Sequence, residues 1–192
     1  MRRASREAGF TLLEAVVAVA LGSLLLIAIY TMFSAAWRTE SAALTVSELQ
    51  HEARGLLYSV VNGSTGPPAA RGLMEADAVL TDGTALAYRW TDPSRSYGQM
   101  VKYYLAGTTV YRAVVDFVVP PPPPPPLPPP PLPPLTIQRS GGTPVAEHIT
   151  TFRTSLAATP TTAVVIDVTG VIRDRQVNLS TSCKPRNIPV PR

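Results

Sequence analysis

The sequence predicts an α+β protein in which a long N-terminal helix is followed by an antiparallel β-sheet domain that packs on the second half of that helix. Apolar residues dominate from Phe10 to Phe33, and one apolar stripe continues to about Val61. From Ala78 onward apolar and polar residues alternate, which is the period of half-buried strands. A nearly pure proline block interrupts these strands.

The chain begins with a short basic leader, residues 1–9. The apolar run that follows has about 24 residues, roughly 36 Å as a helix, which is enough to cross a bilayer core. We therefore assign residues 10–36 to a transmembrane half of the helix. Because arginines precede this run, the N-terminus is expected in the cytoplasm and the rest of the chain outside it.

Residues 37–62 are predicted to continue the helix as an amphipathic half. A membrane anchor needs no such extension, so the stripe predicts that the following domain packs on it. Asn62-Gly63 and Pro67-Pro68 are expected to end the helix. The stripe consists of apolar residues at offsets of three and four, namely Ala42, Val46, Leu49, Ala53, Leu56, Leu57 and Val60.

The strand pattern occupies two parts of the chain, residues 77–119 and residues 136–183. The first part contains two predicted hairpins, with turns at Asp82-Gly83 and Ala106-Gly107. In the second part, Gly170 is the expected turn between the last two strands. Its three strand-like runs are residues 145–156, 163–169 and 171–183.

Residues 120–135 form the polyproline insertion, and residues 184–192 form a C-terminal tail. The proline block can only adopt polyproline II, a stiff rod of about 45 Å. Because proline has no amide donor, we expect the rod to project from an edge or loop between strands. Two interpretations stay open, an insertion in a permissive loop and a docking rod for a partner with an aromatic groove.

One carboxylate, Glu14, lies inside the apolar run. A charge within a membrane segment costs a few kcal/mol, so it is a functional hypothesis by default. The alternative is that Glu14 lies near the membrane interface and snorkels to water. Pairing with an ammonium group would remove most of the cost of burying the carboxylate.

The run Gly9-Phe10-Thr11-Leu12-Leu13-Glu14, behind a basic leader and ahead of a long apolar helix, resembles the signature of type IV prepilins and pseudopilins. The resemblance implies cleavage between Gly9 and Phe10 by a prepilin peptidase and N-methylation of Phe10. It also implies that Glu14 helps to admit the subunit to a filament, where it faces a neighbour's N-terminal amine. The implied partners are other pilins, the prepilin peptidase, an inner-membrane assembly platform and membrane lipid.

Three shorter stretches are similar to minor pilins of the PilW/GspJ type, and they occur in that family's order. They are Val101–Leu105 with Val110–Arg112, Val145–Phe152, and Thr181–Asn187. Cys183 is the only cysteine, so the C-terminal disulfide that is usual in major pilins cannot form. This absence favours a minor subunit. Cys183 is either a small apolar strand residue or an intermolecular thiol.

We find no catalytic or cofactor-binding motif in the sequence, and we therefore expect neither an enzyme nor a resident cofactor. His51 and His148 have no spacing that suggests a metal site. The net charge of +4 is too small to imply nucleic acid by itself. A basic C-terminal end nevertheless keeps DNA binding as a minor alternative.

Three interpretations therefore compete. The first is a minor pilin or pseudopilin of a bacterial inner membrane, assembled into a filament for pilus biogenesis, DNA uptake or type II secretion. The second is a single-pass membrane protein that displays a small extracytoplasmic β-domain as a binding module. The third is a secreted protein that is cleaved after Ala36.

Overall fold

The computed structural model describes residues 11–92, 94, 96–120, 132–157 and 163–186. Within these ranges one α-helix, α1 (Leu12–Asn62), is followed by ten β-strands and a short 3-10 helix. Every strand pairing is antiparallel. The predicted α+β class is confirmed. The leader with Gly9 and Phe10, and residues 121–131 of the proline block, lie outside the described residues.

Backbone contacts divide the chain into two units, Met1–Leu44 and Thr45–Arg192. The described part of the first unit is helical, apart from Thr11 at its start. Its large apolar side chains are exposed, for example Leu25 at 63% and Met32 at 75%. The helix is long and apolar enough to cross a membrane, which is consistent with inner-membrane anchoring.

The second unit begins with the amphipathic half of α1. Five members of the predicted stripe are buried, namely Leu49, Ala53, Leu56, Leu57 and Val60. The helix ends at Asn62, and Gly63 follows with a φ of +90°. A Cβ atom on Gly63 would lie 2.4 Å from the Ala70 carbonyl oxygen, so only glycine fits this helix end.

A five-stranded sheet forms one face of the second unit. Its strands are ordered β3-β4-β5-β6-β7. The two predicted hairpins correspond to β3–β4 and β5–β6, which are joined in the sheet by the pairing of β4 with β5. The strands are β3 (Ala78–Thr81), β4 (Ala85–Asp92), β5 (Tyr97–Ala106), β6 (Thr109–Val118) and β7 (Thr143–Ala146).

A second, three-stranded sheet has the order β10-β9-β8. Its strands are β8 (Ile149–Ala157), β9 (Ala163–Ile172) and β10 (Arg175–Cys183). A two-residue ladder of β1 (Gly63–Ser64) and β2 (Ala70–Arg71), followed by the 3-10 helix Leu73–Glu75, links α1 to the first sheet.

The buried stripe of α1 and the inner faces of both sheets share one hydrophobic core. Tyr88, Tyr103 and Phe152 are its largest fully buried side chains. Thr154 of β8 joins the two sheets, because its amide donates to the Gly83 carbonyl oxygen at 3.0 Å and its hydroxyl donates to that of Ala85 at 3.1 Å. The second half of α1 thus contributes apolar side chains to a core against which both sheets pack.

Two sequence predictions about the strands are wrong. Gly170 is not a turn but lies within β9, where it pairs with Val177, and the turn comes at Arg173-Asp174. A Cβ atom on Gly170 would lie 3.1 Å from the Leu49 side chain, so this glycine allows the helix to approach the sheet closely.

The predicted run at residues 145–156 is divided between two sheets. The chain breaks at Glu147-His148, where His148 has a φ of +56°. Ala146 pairs with β6, whereas Ile149 pairs with Gly170 of β9. The expected single sheet is therefore two sheets in the structure.

The last residues of the proline block, from Leu132 onward, and the segment that follows them lie against the first sheet. We call residues 132–142 the strap. Arg89 of β4 donates to the Pro133 carbonyl oxygen at 3.3 Å, and the Tyr104 hydroxyl of β5 donates to that of Gly141. Arg139 forms an ion pair with Asp82 at 2.9 Å. The strap thus crosses the outer face of the sheet on its way to β7.

Candidate functional site

Glu14 lies in the first turn of α1 and forms a capping box with Thr11. The Glu14 amide donates to the Thr11 hydroxyl oxygen at 3.3 Å. In return, the Thr11 amide and hydroxyl each donate to Glu14 Oε2 at 3.3 Å. The spacing T-x-x-E is the sequence pattern for this cap, and it lies inside the run Gly9–Glu14 that resembles the prepilin signature.

The cap gives Glu14 a structural role in addition to its charge. The carboxylate satisfies the Thr11 amide donor at the helix start and lies at the positive end of the helix dipole. Its side chain is exposed, together with the apolar side chains around it. A single described chain therefore leaves Glu14 available to a cation from outside that chain.

Hydroxyl groups in the first half of α1 are satisfied within the helix. Ser23 donates to the Ala20 carbonyl oxygen at 2.8 Å, and Thr31 donates to that of Ala28 at 2.8 Å. Ser34 donates to the Thr31 carbonyl oxygen at 2.9 Å. Such internal bonds let hydroxyl groups enter lipid without an unpaired donor.

The residues expected to be processed, Gly9 and Phe10, lie outside the described residues. The other predicted site residue, Cys183, is the last residue of β10 and is 5% exposed. Burial raises the pKa of the Cys183 thiol, which lowers its thiolate fraction. This environment favours the role of a small apolar core residue over an intermolecular thiol.

The two histidines lie on different elements of the fold. His51 lies on α1, and His148 lies at the junction of β7 and β8. No group of three or more His, Cys, Asp or Glu side chains that could hold a metal ion is present in the part of the chain that the structure describes.

Two of the basic side chains belong to the folded interior. Lys102 is 8% exposed and Arg112 is 5% exposed. Arg112 donates to the Pro68 carbonyl oxygen at 2.9 Å. Its cross-strand partner Tyr103 donates its hydroxyl to the Ser59 carbonyl oxygen of α1 at 3.2 Å. Arg112 thus holds the segment that follows the helix and adds little to the positive surface.

An open cavity of about 790 Å³ lies at the C-terminal end of α1. Its wall includes Gln99, whose amide group donates to the Ala69 carbonyl oxygen at 3.0 Å and to Asp116 at 3.0 Å. The Arg71 amide donates to the Gln99 side-chain oxygen at 2.8 Å. These hydrogen bonds use both the amide nitrogen and the oxygen of the Gln99 side chain. We therefore infer that the role of Gln99 is to anchor the loop between β1 and β2.

Comparison with known families supports the interpretation of the N-terminus. Residues 4–30 match the family model for the prokaryotic N-terminal methylation motif. No curated protein and no solved structure matches the chain. The motif supports a type IV pilin-like protein that is processed by a prepilin peptidase, and it implies contact with that peptidase and with other pilins.

Proposed function

We propose that the chain is a minor pilin or pseudopilin of the PilW/GspJ type, a subunit of a filament for pilus biogenesis, DNA uptake or type II secretion. The observation that carries the proposal is the methylation motif at residues 4–30, which extends into a helix whose first half exposes its apolar side chains. In this proposal the peptidase cleaves after Gly9, and Phe10 becomes the methylated N-terminus.

The exposed half of α1 supports a role in assembly. Its apolar side chains have no cover from the described part of this chain, so lipid covers them before assembly and neighbouring helices cover them afterwards. An apolar helix surface of this kind favours burial in a bundle. The β-domain then lies outside the cytoplasm, as the basic leader predicts.

Glu14 admits the subunit to the filament by pairing with the N-terminal ammonium of a neighbouring subunit. Alone in lipid the carboxylate is costly, and a cation from the neighbour removes that cost at the moment of assembly. The assembly platform in the inner membrane is the expected partner for this step. The single, buried cysteine supports a minor subunit over a major one.

Three variants separate the pairing role of Glu14 from its capping role. Glu14→Gln keeps a side chain that can complete the capping box but removes the charge, and Glu14→Ala removes both. Thr11→Val removes the hydroxyl of the cap and keeps the charge. The measurement is the amount of each variant that is recovered in sheared filaments, or with tagged partner pilins, relative to the amount in the membrane.

We expect both Glu14 variants to lose incorporation and Thr11→Val to retain most of it. Incorporation of Glu14→Gln at the level of the unmodified chain, with loss only in Glu14→Ala and Thr11→Val, would show that Glu14 is a helix cap and would overturn the pairing role. The variants differ from one another at only one or two positions of the same membrane segment, and each recovery is expressed relative to the amount in the membrane. Differences in membrane insertion are therefore corrected for.

A further inference from the structure

Strand β10 forms one edge of the three-stranded sheet, and it lacks the features that usually protect such an edge. Its nine residues pair with β9 in one unbroken register from Arg175 to Cys183, without a bulge. No proline and no charged residue occurs from Gln176 to Cys183. In the described part of the chain, no strand pairs with its other side. Long, regular and uncharged edges are templates for a further strand.

The backbone groups that face this edge follow from the pairing. The Val171 amide donates to the His148 carbonyl oxygen, so Val171 faces away from β10. Alternate residues of a central strand face opposite neighbours, so Gly170 faces β10, where its partner is Val177. The backbone groups of Asn178 and Ser180 therefore point to the free side of the edge.

A groove of about 340 Å³ runs between this edge and the second half of α1. Leu57, Tyr58 and Val61 line it on the helix side, and the segment 179–181 lines it on the strand side. Tyr58 is 68% exposed, although its neighbour Leu57 is 8% exposed. A strand added 4.8 Å from β10 would place alternate side chains in this groove, over Tyr58.

The ends of the edge are basic. Arg54 lies in the wall of the groove, Arg175 begins β10, and Lys184 follows it; all three are exposed. Asp174 is the one acidic residue from 173 to 186. A partner segment with carboxylates near its ends and uncharged, alternately apolar residues between them therefore complements this surface.

We propose that β10 accepts an extended segment from a neighbouring filament subunit, which becomes a fourth strand of this sheet. The partner's main chain bonds the outward groups of Asn178 and Ser180, and its apolar side chains cover Tyr58 and Val61. This mode of recognition is β-strand addition, in which main-chain bonds give affinity and the groove gives specificity. The proposal rests on the filament function, since the neighbour is a subunit of that filament.

The test uses the full chain in the cells that produce it. Tyr58 is replaced by the photocrosslinker p-benzoylphenylalanine, and the same substitution at Arg153, which is exposed on another strand of the sheet, is the control. After irradiation of assembled filaments, the crosslinked peptides are identified by mass spectrometry. We expect position 58 to crosslink to an extended segment of a neighbouring subunit, and position 153 to give far less of that product.

Two edge variants complete the test. Ser180→Pro removes an amide donor that faces the free side, and Thr181→Lys places a charge in the groove. Ser180→Pro should reduce the crosslink at position 58 roughly tenfold, the loss expected when one bond of a ladder cannot form. Thr181→Lys should also reduce it, because a partner's apolar side chains cannot cover a charged group in the groove. If Ser180→Pro does not fold, as judged by circular dichroism, Thr181→Lys decides the outcome.

An absent crosslink, a crosslink to lipid or to a helix, or a crosslink that neither variant changes would overturn strand addition. A crosslink to a second copy of this chain in unassembled membranes would also overturn it, because the edge would then serve a dimer. The mature N-terminus is measured in the same sample. A chain with methylated Phe10 and no crosslink contradicts only the strand addition, whereas an unprocessed chain contradicts the filament function.

Discussion

The two halves of α1 bury their apolar side chains in different ways. From Ala53 to Val60 a narrow stripe packs into the core that the two sheets share. From Leu12 to Phe33 apolar side chains point in all directions and are exposed. The second half therefore needs only its own chain, whereas the first half needs lipid or other helices. One helix thus serves as the core element of a domain and as a surface for external partners.

The largest expected difference between the halves is in stability. Leu56 is 1% exposed, so Leu56→Ala should reduce the free energy of unfolding of the β-domain by about 2–5 kcal/mol. Leu25 is 63% exposed, and Leu25→Ala should leave that free energy within about 0.5 kcal/mol of the parent value. Urea titration of the detergent-solubilised chain, followed by near-ultraviolet circular dichroism, measures both; equal losses would contradict the comparison.

A smaller effect is expected where the two sheets meet. Thr154 is 3% exposed, and its hydroxyl bonds the Ala85 carbonyl oxygen and the Thr81 hydroxyl. Thr154→Val keeps the shape and removes these bonds, so unfolding should become easier by about 1–3 kcal/mol. Ser155→Val, at the next and exposed position of β8, is the control in the same urea titration. An unchanged midpoint for Thr154→Val would show that the sheets do not depend on this link.

Each half of the helix also contains one glycine with open space around it. A Cβ atom on Gly22 or Gly55 would meet nothing within 4 Å. Gly55→Ala should stabilise the β-domain by about 0.5–1 kcal/mol, because alanine favours the helix on which the sheets pack. Gly22→Ala should leave the unfolding of that domain unchanged. Stabilisation of the domain by both would mean that the two halves respond as one element.

The smallest expected effect is a pH dependence from Glu52, in the second half of α1. Burial raises the pKa of Glu52, and nearby His148 opposes this shift. An acid with a raised pKa in the folded state contributes stability below its ordinary pKa, and this contribution is lost as the pH rises through the raised value.

Glu52→Gln should abolish the loss of stability that the parent chain shows as the pH rises. The free energy of unfolding of the variant, relative to that of the parent chain, should therefore increase as the pH rises above 4.5, the ordinary pKa of this carboxyl group. Urea titrations at several pH values between about 4 and 7 measure this difference. Parallel stability curves for the two chains would contradict the burial of this carboxylate.

Local patterns were sufficient to predict the helix, its end at Asn62 and most strands. They could not separate the two sheets, because strands with a period of two read alike in either sheet. Gly170 suggested a turn, since the approach of Leu49 that explains it is a long-range contact. The contacts of the strap with Arg89 and Tyr104 could not be predicted, because composition does not reveal which face of a sheet a segment will lie on.

The candidate site shows the same limit. Glu14 was found from its position within an apolar run, and its partner Thr11 was visible in the T-x-x-E spacing but was not interpreted as a cap. The groove beside β10 could not be predicted, because it forms between a helix and a strand that are more than 100 residues apart in the chain.

Intact-mass analysis of the membrane-extracted chain tests the filament function most directly, because a pilin-like subunit must lose its leader. We expect one mature species that begins at Phe10 and carries one N-methyl group. A Gly9→Val variant should remain uncleaved in the same preparation. A chain that still begins with Met1, or one that begins at Trp37 after signal-peptide cleavage, would contradict the filament function.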